Sequence, residues 1–194
     1  MRLGAAAGVV SVLLSQAPEP GESLGAVLAR VQARWTHEAL QGEPTLLAYD
    51  RGVVVLAERA TALKGRTTER LLRVRALEAA VRTLASVPLE DLTGEGTLSH
   101  LRRLELAEKA LDDERSAARA DCLRALVTLA ELRGRVEGKL DSLSAARRSC
   151  ATDAGVGPAI CSSVLVGEAV FGELLGAVTR EQAVLEAQCS GGGA

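Results

Sequence analysis

The chain has 194 residues and a formal net charge of −2, and 47% of its residues are hydrophobic although only 2% are aromatic. A chain of this length suits one domain, and its core must be built from Leu, Val and Ala, which favours helices packed on helices. Because both signs of charge are interspersed, the basic stripe of a nucleic-acid-binding protein is excluded, and we expect no nucleic-acid partner.

The N-terminal segment has the order of a secretory signal peptide. Arg2 is followed by an uncharged stretch, Leu3–Leu14, and then by Ser15–Ala17, which provides a small-x-small cleavage site. As a helix, the stretch would reach only about 18 Å, against about 30 Å for the hydrocarbon core of a bilayer, so it is too short for a standard membrane span. We predict a signal peptide over residues 1–17 and a secreted or periplasmic protein. The alternative is an N-terminal helix buried in the core.

Two helices are predicted in the first half of the chain. The first ends near Leu40, because apolar residues recur at helical spacing before it: Leu24, Val27, Leu28, Val31 and Trp35. A longer apolar pattern runs over residues 44–86. Either one helix covers this range, or two helices meet at Gly65, which would close the first, and Thr67 caps the second.

Two further helices are predicted in the second half. The third begins at Thr97 and carries apolar residues at heptad spacing from Leu101 to Cys150. Three charged residues interrupt this seam: Glu108, Arg115 and Lys139. The fourth helix covers 159–188, and its apolar face consists of Val164, Phe171, Leu175, Val178 and Leu185. Residues 190–194 are expected to form a flexible tail.

The turns between these segments are short, which makes neighbouring helices antiparallel. We therefore predict an all-α fold, an elongated antiparallel bundle of three to four long helices with coiled-coil-like packing. A single domain would cover residues 18–189. Within it, residues 64–121 are expected to form a projecting arm of two helices.

The four cysteines form two pairs with the same spacing. Cys122 and Cys150 are 28 residues apart, and so are Cys161 and Cys189. Since 28 residues are four heptads, the members of each pair share one face of a supercoiled helix. Facing residues of an antiparallel hairpin have residue numbers with a constant sum. That sum is 311 for residues 150 and 161, and it is also 311 for residues 122 and 189. A single register of the hairpin therefore places Cys150 opposite Cys161 and Cys122 opposite Cys189.

Geometry excludes two of the three possible disulfide connectivities. Two cysteines of one helix would lie about 42 Å apart, whereas bridged Cα atoms lie about 4.4 to 6.8 Å apart. Joining Cys122 to Cys161 would demand parallel helices, which the short turn cannot connect. We predict the structural disulfides Cys150–Cys161 and Cys122–Cys189, which staple the C-terminal hairpin. The alternative is four reduced thiols that pack as small apolar groups.

Four glycines lie near the middle of this predicted hairpin: Gly134, Gly138, Gly172 and Gly176. Glycine costs about 1 kcal/mol relative to alanine in a helix interior. The four residues therefore indicate either a close approach of the two backbones or a locally soft hairpin.

No pattern in the sequence identifies a catalytic or metal site. The two histidines, His37 and His100, lie in different predicted helices, and neither has a histidine partner at the spacing that metal-binding helices use. Zinc, phosphate-loop and nucleophile-elbow motifs do not occur in the sequence. We expect neither enzymatic activity nor a cofactor.

Long heptad seams without such a site favour a structural or interaction protein. We expect a non-enzymatic adaptor or scaffold of a bacterial-type envelope or extracellular space, which binds a protein partner or a second copy through helical surfaces. One alternative is a bundle that binds a ligand or a metal, with candidate residues His37, Glu38, Glu168 and Glu173. Another is a membrane-associated protein, favoured by the apolar stretch 159–178 and opposed by its two carboxylates.

Overall fold

The computed structural model describes four ranges of the chain, residues 22–40, 50–88, 94–152 and 157–191. Within these ranges 95% of the residues are helical and no strand occurs. The helices are α1 (Leu24–Leu40), α2 (Arg51–Ala85), α3 (Gly94–Thr152) and α4 (Pro158–Gly191). The predicted all-α fold with bundle-like packing is thus confirmed. The predicted signal peptide lies outside the described residues.

The first two helices show whether the long apolar pattern of this half of the chain forms one helix or two. α1 ends at Leu40, as predicted. α2 continues through Gly65 as one helix, and Thr67 does not cap a second one. Instead, the Thr67 side chain is fully buried and its hydroxyl donates a hydrogen bond to the carbonyl of Leu63 over 2.9 Å. This bond satisfies the hydroxyl inside the helix, so the polar residue does not interrupt it.

The last two helices are longer than predicted at three of their ends. α3 begins at Gly94, three residues before the expected start, with a φ of 33° that glycine adopts more easily than other residues. α4 begins at Pro158, whose fixed φ suits a first helical position. It ends at Gly191 and therefore includes Ser190, whose hydroxyl donates to the carbonyl of Glu186 over 2.8 Å. Residues 192–194 of the predicted tail lie outside the described ranges.

The chain divides into two compact units. The first contains α1, the residues just before α2 and the range Arg135–Glu181. The second contains Gly52–Gly134 and the end of α4 from Gln182 onwards. The single domain over residues 18–189 and the arm over residues 64–121 stay predictions.

In the first unit, polar contacts fix α1 to α4. The backbone N–H of Leu24 donates to Oε1 of the buried Glu181 over 3.2 Å, which places a carboxylate at the start of α1, where the helix dipole favours negative charge. Arg30 pairs with Glu22 over 2.6 Å and with Glu173 of α4 over 3.2 Å. The hydrogen bond to Glu22 raises the pKa of Arg30, although partial burial opposes the shift. Because the pKa of Arg30 is raised above the ordinary arginine pKa, its charge stabilises the folded state at every pH below that ordinary pKa.

The apolar face of α4 agrees with the sequence pattern. Four of its five predicted residues are buried: Val164, Phe171, Val178 and Leu185. Leu175 is half-buried. Phe171 is the single phenylalanine of the chain and has no exposed surface, and among the described side chains it is the largest that is fully buried.

The close approach predicted for the four mid-hairpin glycines is wrong. A Cβ added at Gly134, Gly138 or Gly172 would meet nothing within 4 Å, because these residues face away from the packed side of their helices. At Gly176 it would meet only the side chain of the nearby Arg180. The close approach occurs at Gly167 instead, where an added Cβ would lie 3.2 Å from both methyl groups of Leu143.

This difference predicts opposite effects of two glycine substitutions in α4. We expect Gly172→Ala to stabilise the protein by about 0.5 to 1 kcal/mol, because alanine restricts the unfolded chain and favours the helix. Gly167→Val is expected to destabilise it by about 1 to 3 kcal/mol, because its side chain overlaps the buried Leu143. Urea unfolding followed by circular dichroism measures both. Equal effects of the two changes would contradict the packing at Gly167.

In the second unit, α2 and α3 pack as antiparallel neighbours. Their buried cluster consists of Val74, Leu111 and Ala118, with the partly buried Leu71, Leu77 and Val81 around it. The Arg115 side chain, predicted as a seam interruption, turns to Glu78 of α2 and pairs with it over 2.9 Å. Near the turn, His100 is buried and its Nε2 donates to the carbonyl of Leu84 over 3.0 Å. Leu101 is 43% exposed, so the buried seam of α3 begins later than predicted.

Candidate protein-interaction surface

Both predicted disulfides are present. Cys150 and Cys161 have Cα atoms 5.7 Å apart in the first unit, and Cys122 and Cys189 have Cα atoms 6.1 Å apart in the second. All four cysteines belong to the described ranges, and none of them is free. Because disulfides form and persist in oxidising compartments, the two bridges indicate an oxidising environment.

In the second unit, one face of α3 is buried along about six helical turns. We call this face the inner seam, and its residues are Leu111, Ala118, Cys122, Ala125, Leu129 and Leu132. The spacings are those of one helical face, and each residue has less than a tenth of its surface exposed. The inner seam, with its Cys122 bridge to α4, holds this part of α3 in place.

The opposite face of the same stretch is exposed and carries no charge. We call it the outer stripe, and its residues are Ser116, Ala120, Leu123, Val127, Ala130 and Gly134. They alternate in steps of four and three residues, which is the spacing of coiled-coil core positions. Leu123 is 65% exposed and Val127 is 66% exposed. α3 thus has a second heptad face that no described part of the chain covers.

Three arginines and one glutamate flank the outer stripe, at the positions that flank the core of a coiled coil: Arg119, Arg124, Glu131 and Arg133. All four side chains belong to exposed residues. A helix that packed on the stripe would therefore meet a predominantly cationic border.

The position of Arg124 is fixed by a carboxylate beneath it. Its guanidinium donates to Asp121 over 2.7 Å, and the Asp121 side chain is only 6% exposed. Asp121 also accepts a hydrogen bond of 2.6 Å from Arg70 of α2, which pairs with Glu114 over 3.2 Å as well. The hydrogen bond to Asp121 raises the pKa of Arg70. The negative charges of this group lie deeper than the 65% exposed Arg124, so the arginine is the member of the group that reaches the surface beside the outer stripe.

Two cavities lined by described residues of the second unit do not have the form of a small-molecule site. The smaller one, of about 40 Å³, lies beside the Cys122–Cys189 bridge and is lined by Val74, Ala118 and Arg119 among others. Ligand pockets usually measure about 300 to 1,000 Å³, so this cavity holds only a few water molecules. A groove of about 440 Å³ between Glu78 and Asp112 is open to solvent, and the Arg115–Glu78 ion pair lies in it.

Two of the four residues predicted as ligand candidates already form hydrogen bonds or ion pairs with other side chains. Glu168 accepts from Ser144 over 3.0 Å and from Arg147 over 3.2 Å, and Glu173 pairs with Arg30. The side chains of His37 and Glu38 lie outside the described part of the chain. Within the described residues, no group of three or more His, Cys, Asp or Glu side chains could hold a metal ion.

One described helix has the length and composition of a membrane span. It is Ile160–Gly191, whose most apolar window has a mean hydropathy of 1.5 and is 33% buried. The core helix of a water-soluble protein passes the same test. One face of α4 is buried, and two disulfides join α4 to α3.

Comparison of the chain with protein-family models, with curated proteins and with solved structures finds no match.

Proposed function

We propose that this protein is a non-enzymatic adaptor or scaffold of a bacterial-type envelope or extracellular space, and that it binds a protein partner through the outer stripe. The observation that carries the proposal is the exposed heptad face of α3, with Leu123 and Val127 about two-thirds exposed at its centre. Contiguous exposed apolar surface of this kind marks interaction sites in soluble proteins.

The construction of α3 supports this role. The inner seam and the Cys122–Cys189 bridge fix the helix from behind, so the outer stripe is presented without rearrangement of the fold. A surface that is already ordered loses little conformational entropy on binding, which favours affinity. The envelope or extracellular location is supported by the two disulfides together with the signal-like order of residues 1–17.

Site-specific photo-crosslinking in cells that export the protein tests the proposal. We expect a photo-reactive amino acid at Val127 to give one discrete adduct with another protein, which mass spectrometry identifies. The crosslinked chain should be recovered from the envelope or the medium without its first 17 residues. The matched control is Arg102, exposed on the same helix outside the outer stripe, and it should give no adduct.

Two results would contradict the proposal. The first is the absence of an adduct at Val127, combined with a monomer in sedimentation at high concentration. The second is a chain that keeps residues 1–17 and is found in the cytosol with free thiols.

A further inference from the structure

We propose that the partner element which packs on the outer stripe is an amphipathic helix with acidic residues along the borders of its apolar face, not a second copy of this chain. The inference rests on the proposed function and names the chemistry of the partner. It is carried by the heptad spacing of the outer stripe and by the arginines beside it.

The spacing determines the kind of element. Core positions in alternating steps of four and three residues are complementary to another α-helix, because knobs of one helix enter the holes between four residues of the other. Apart from Leu123 and Val127, the outer stripe consists of small residues, Ser, Ala and Gly. Small side chains permit a close approach of the partner backbone, so larger apolar residues of the partner would fill the space above them.

The arginines disfavour pairing with a second copy. In a parallel pair, the border position Arg119 of one chain would face Arg124 of the other. In an antiparallel pair centred on the stripe, Arg124 would face Arg124 and Arg119 would face Arg133. Neither orientation brings Glu131 opposite an arginine. Facing like charges destabilise such pairs, so the borders disfavour the homodimer in both directions.

The same arginines favour an acidic helix. Carboxylates along the borders of a partner helix would lie opposite Arg119, Arg124 and Arg133 and would form interhelical ion pairs. The Arg124 guanidinium already donates to the buried Asp121 and to the backbone carbonyl of Ala120, so its place beside the outer stripe is ordered before a partner carboxylate meets it. Lysines at the same partner positions would be repelled.

Two synthetic helices about four heptads long test this inference on the full-length, disulfide-bonded protein. Both carry Leu and Ala at their core positions, and one has Glu at all border positions whereas the other has Lys. We expect fluorescence anisotropy to give the Glu peptide an affinity at least about tenfold higher than the Lys peptide at low salt, with a smaller ratio at high salt.

Three variants assign the binding to the outer stripe. Leu123→Glu with Val127→Glu should weaken binding of the Glu peptide at least about tenfold. The matched control Leu98→Glu changes a leucine that is 72% exposed on the same helix, and should leave the affinity unchanged. Arg119→Glu with Arg133→Glu should reverse the preference, so that the Lys peptide binds more tightly. A loss of structure alone would not reverse a preference, and circular dichroism checks that each variant is folded.

Three outcomes would overturn the inference. The first is equal binding of both peptides. The second is a dimer of the protein alone that Leu123→Glu with Val127→Glu abolishes, which would make a second copy the occupant. The third is co-sedimentation with anionic phospholipid vesicles that the same variant abolishes, which would make a lipid surface the occupant. If a crosslinked partner is still found at Val127 in cells, the proposed function survives while the acidic helix is rejected.

Discussion

Removal of the Cys122–Cys189 bridge is expected to cost more stability than removal of the Cys150–Cys161 bridge. The first closes a sequence separation of 67 residues and the second a separation of 11. Since a crosslink stabilises mainly by restricting the unfolded chain, the longer loop corresponds to about 4 kcal/mol and the shorter one to about 3 kcal/mol. Urea unfolding of Cys122→Ser with Cys189→Ser, compared with Cys150→Ser with Cys161→Ser, measures the two costs.

The comparison has an internal control, because a reductant should bring the wild type and both double variants to similar stabilities. Peptide mapping without reduction should find each remaining bridge intact in the double variants. An equal or larger cost for the shorter loop would show that the effect does not come from loop closure.

Phe171→Ala is expected to destabilise the protein by about 3 to 5 kcal/mol, because it leaves a cavity where a fully buried aromatic ring was packed. The matched control is Leu165→Ala on the same helix, where the leucine is 52% exposed and the change should stay within about 0.5 kcal/mol of zero. Thermal and urea unfolding measure both variants. A small cost for Phe171→Ala would mean that the first unit can collapse around the missing ring.

The disulfides could be predicted from the sequence because they obey a rigid constraint. A bridge needs its two Cα atoms within a few ångströms, and an antiparallel hairpin offers only one register that satisfies both pairs. The buried face of α4 was predictable for a related reason, since Val164, Phe171 and Val178 are large apolar residues at helical spacing.

The outer stripe was not predicted, although a signal for it exists in the sequence. The alternation of four and three from Ser116 to Gly134 is regular, but its Ser, Ala and Gly residues contribute little to a hydropathy pattern. The heptads of the inner seam, with Leu129 and Leu132, are more prominent on the same helix. Whether a face is covered depends on the packing of the neighbouring helices, which periodicity alone does not contain.

The ion pairs between helices were also beyond sequence reasoning. Glu173 contacts Arg30 although 143 residues separate them, and Arg70 reaches Asp121 across 51 residues. Such pairs depend on how each helix is rotated about its axis, and the charge composition of the sequence does not reveal this rotation. The close approach of the backbones, one of the two alternatives for the glycines, was wrong for the same reason, because spacing did not reveal that Gly134, Gly138 and Gly172 lie on exposed faces.

The equal spacing of the cysteines restricts how the length of this hairpin can change during evolution. A single inserted residue between Cys122 and Cys150 would rotate one cysteine by about 100° relative to the other and move it off its face. One of the two bridges would then be lost. Insertions or deletions of whole heptads, made in both α3 and α4, would preserve both bridges. Homologous chains of different length are therefore expected to differ in this region by matched multiples of seven residues.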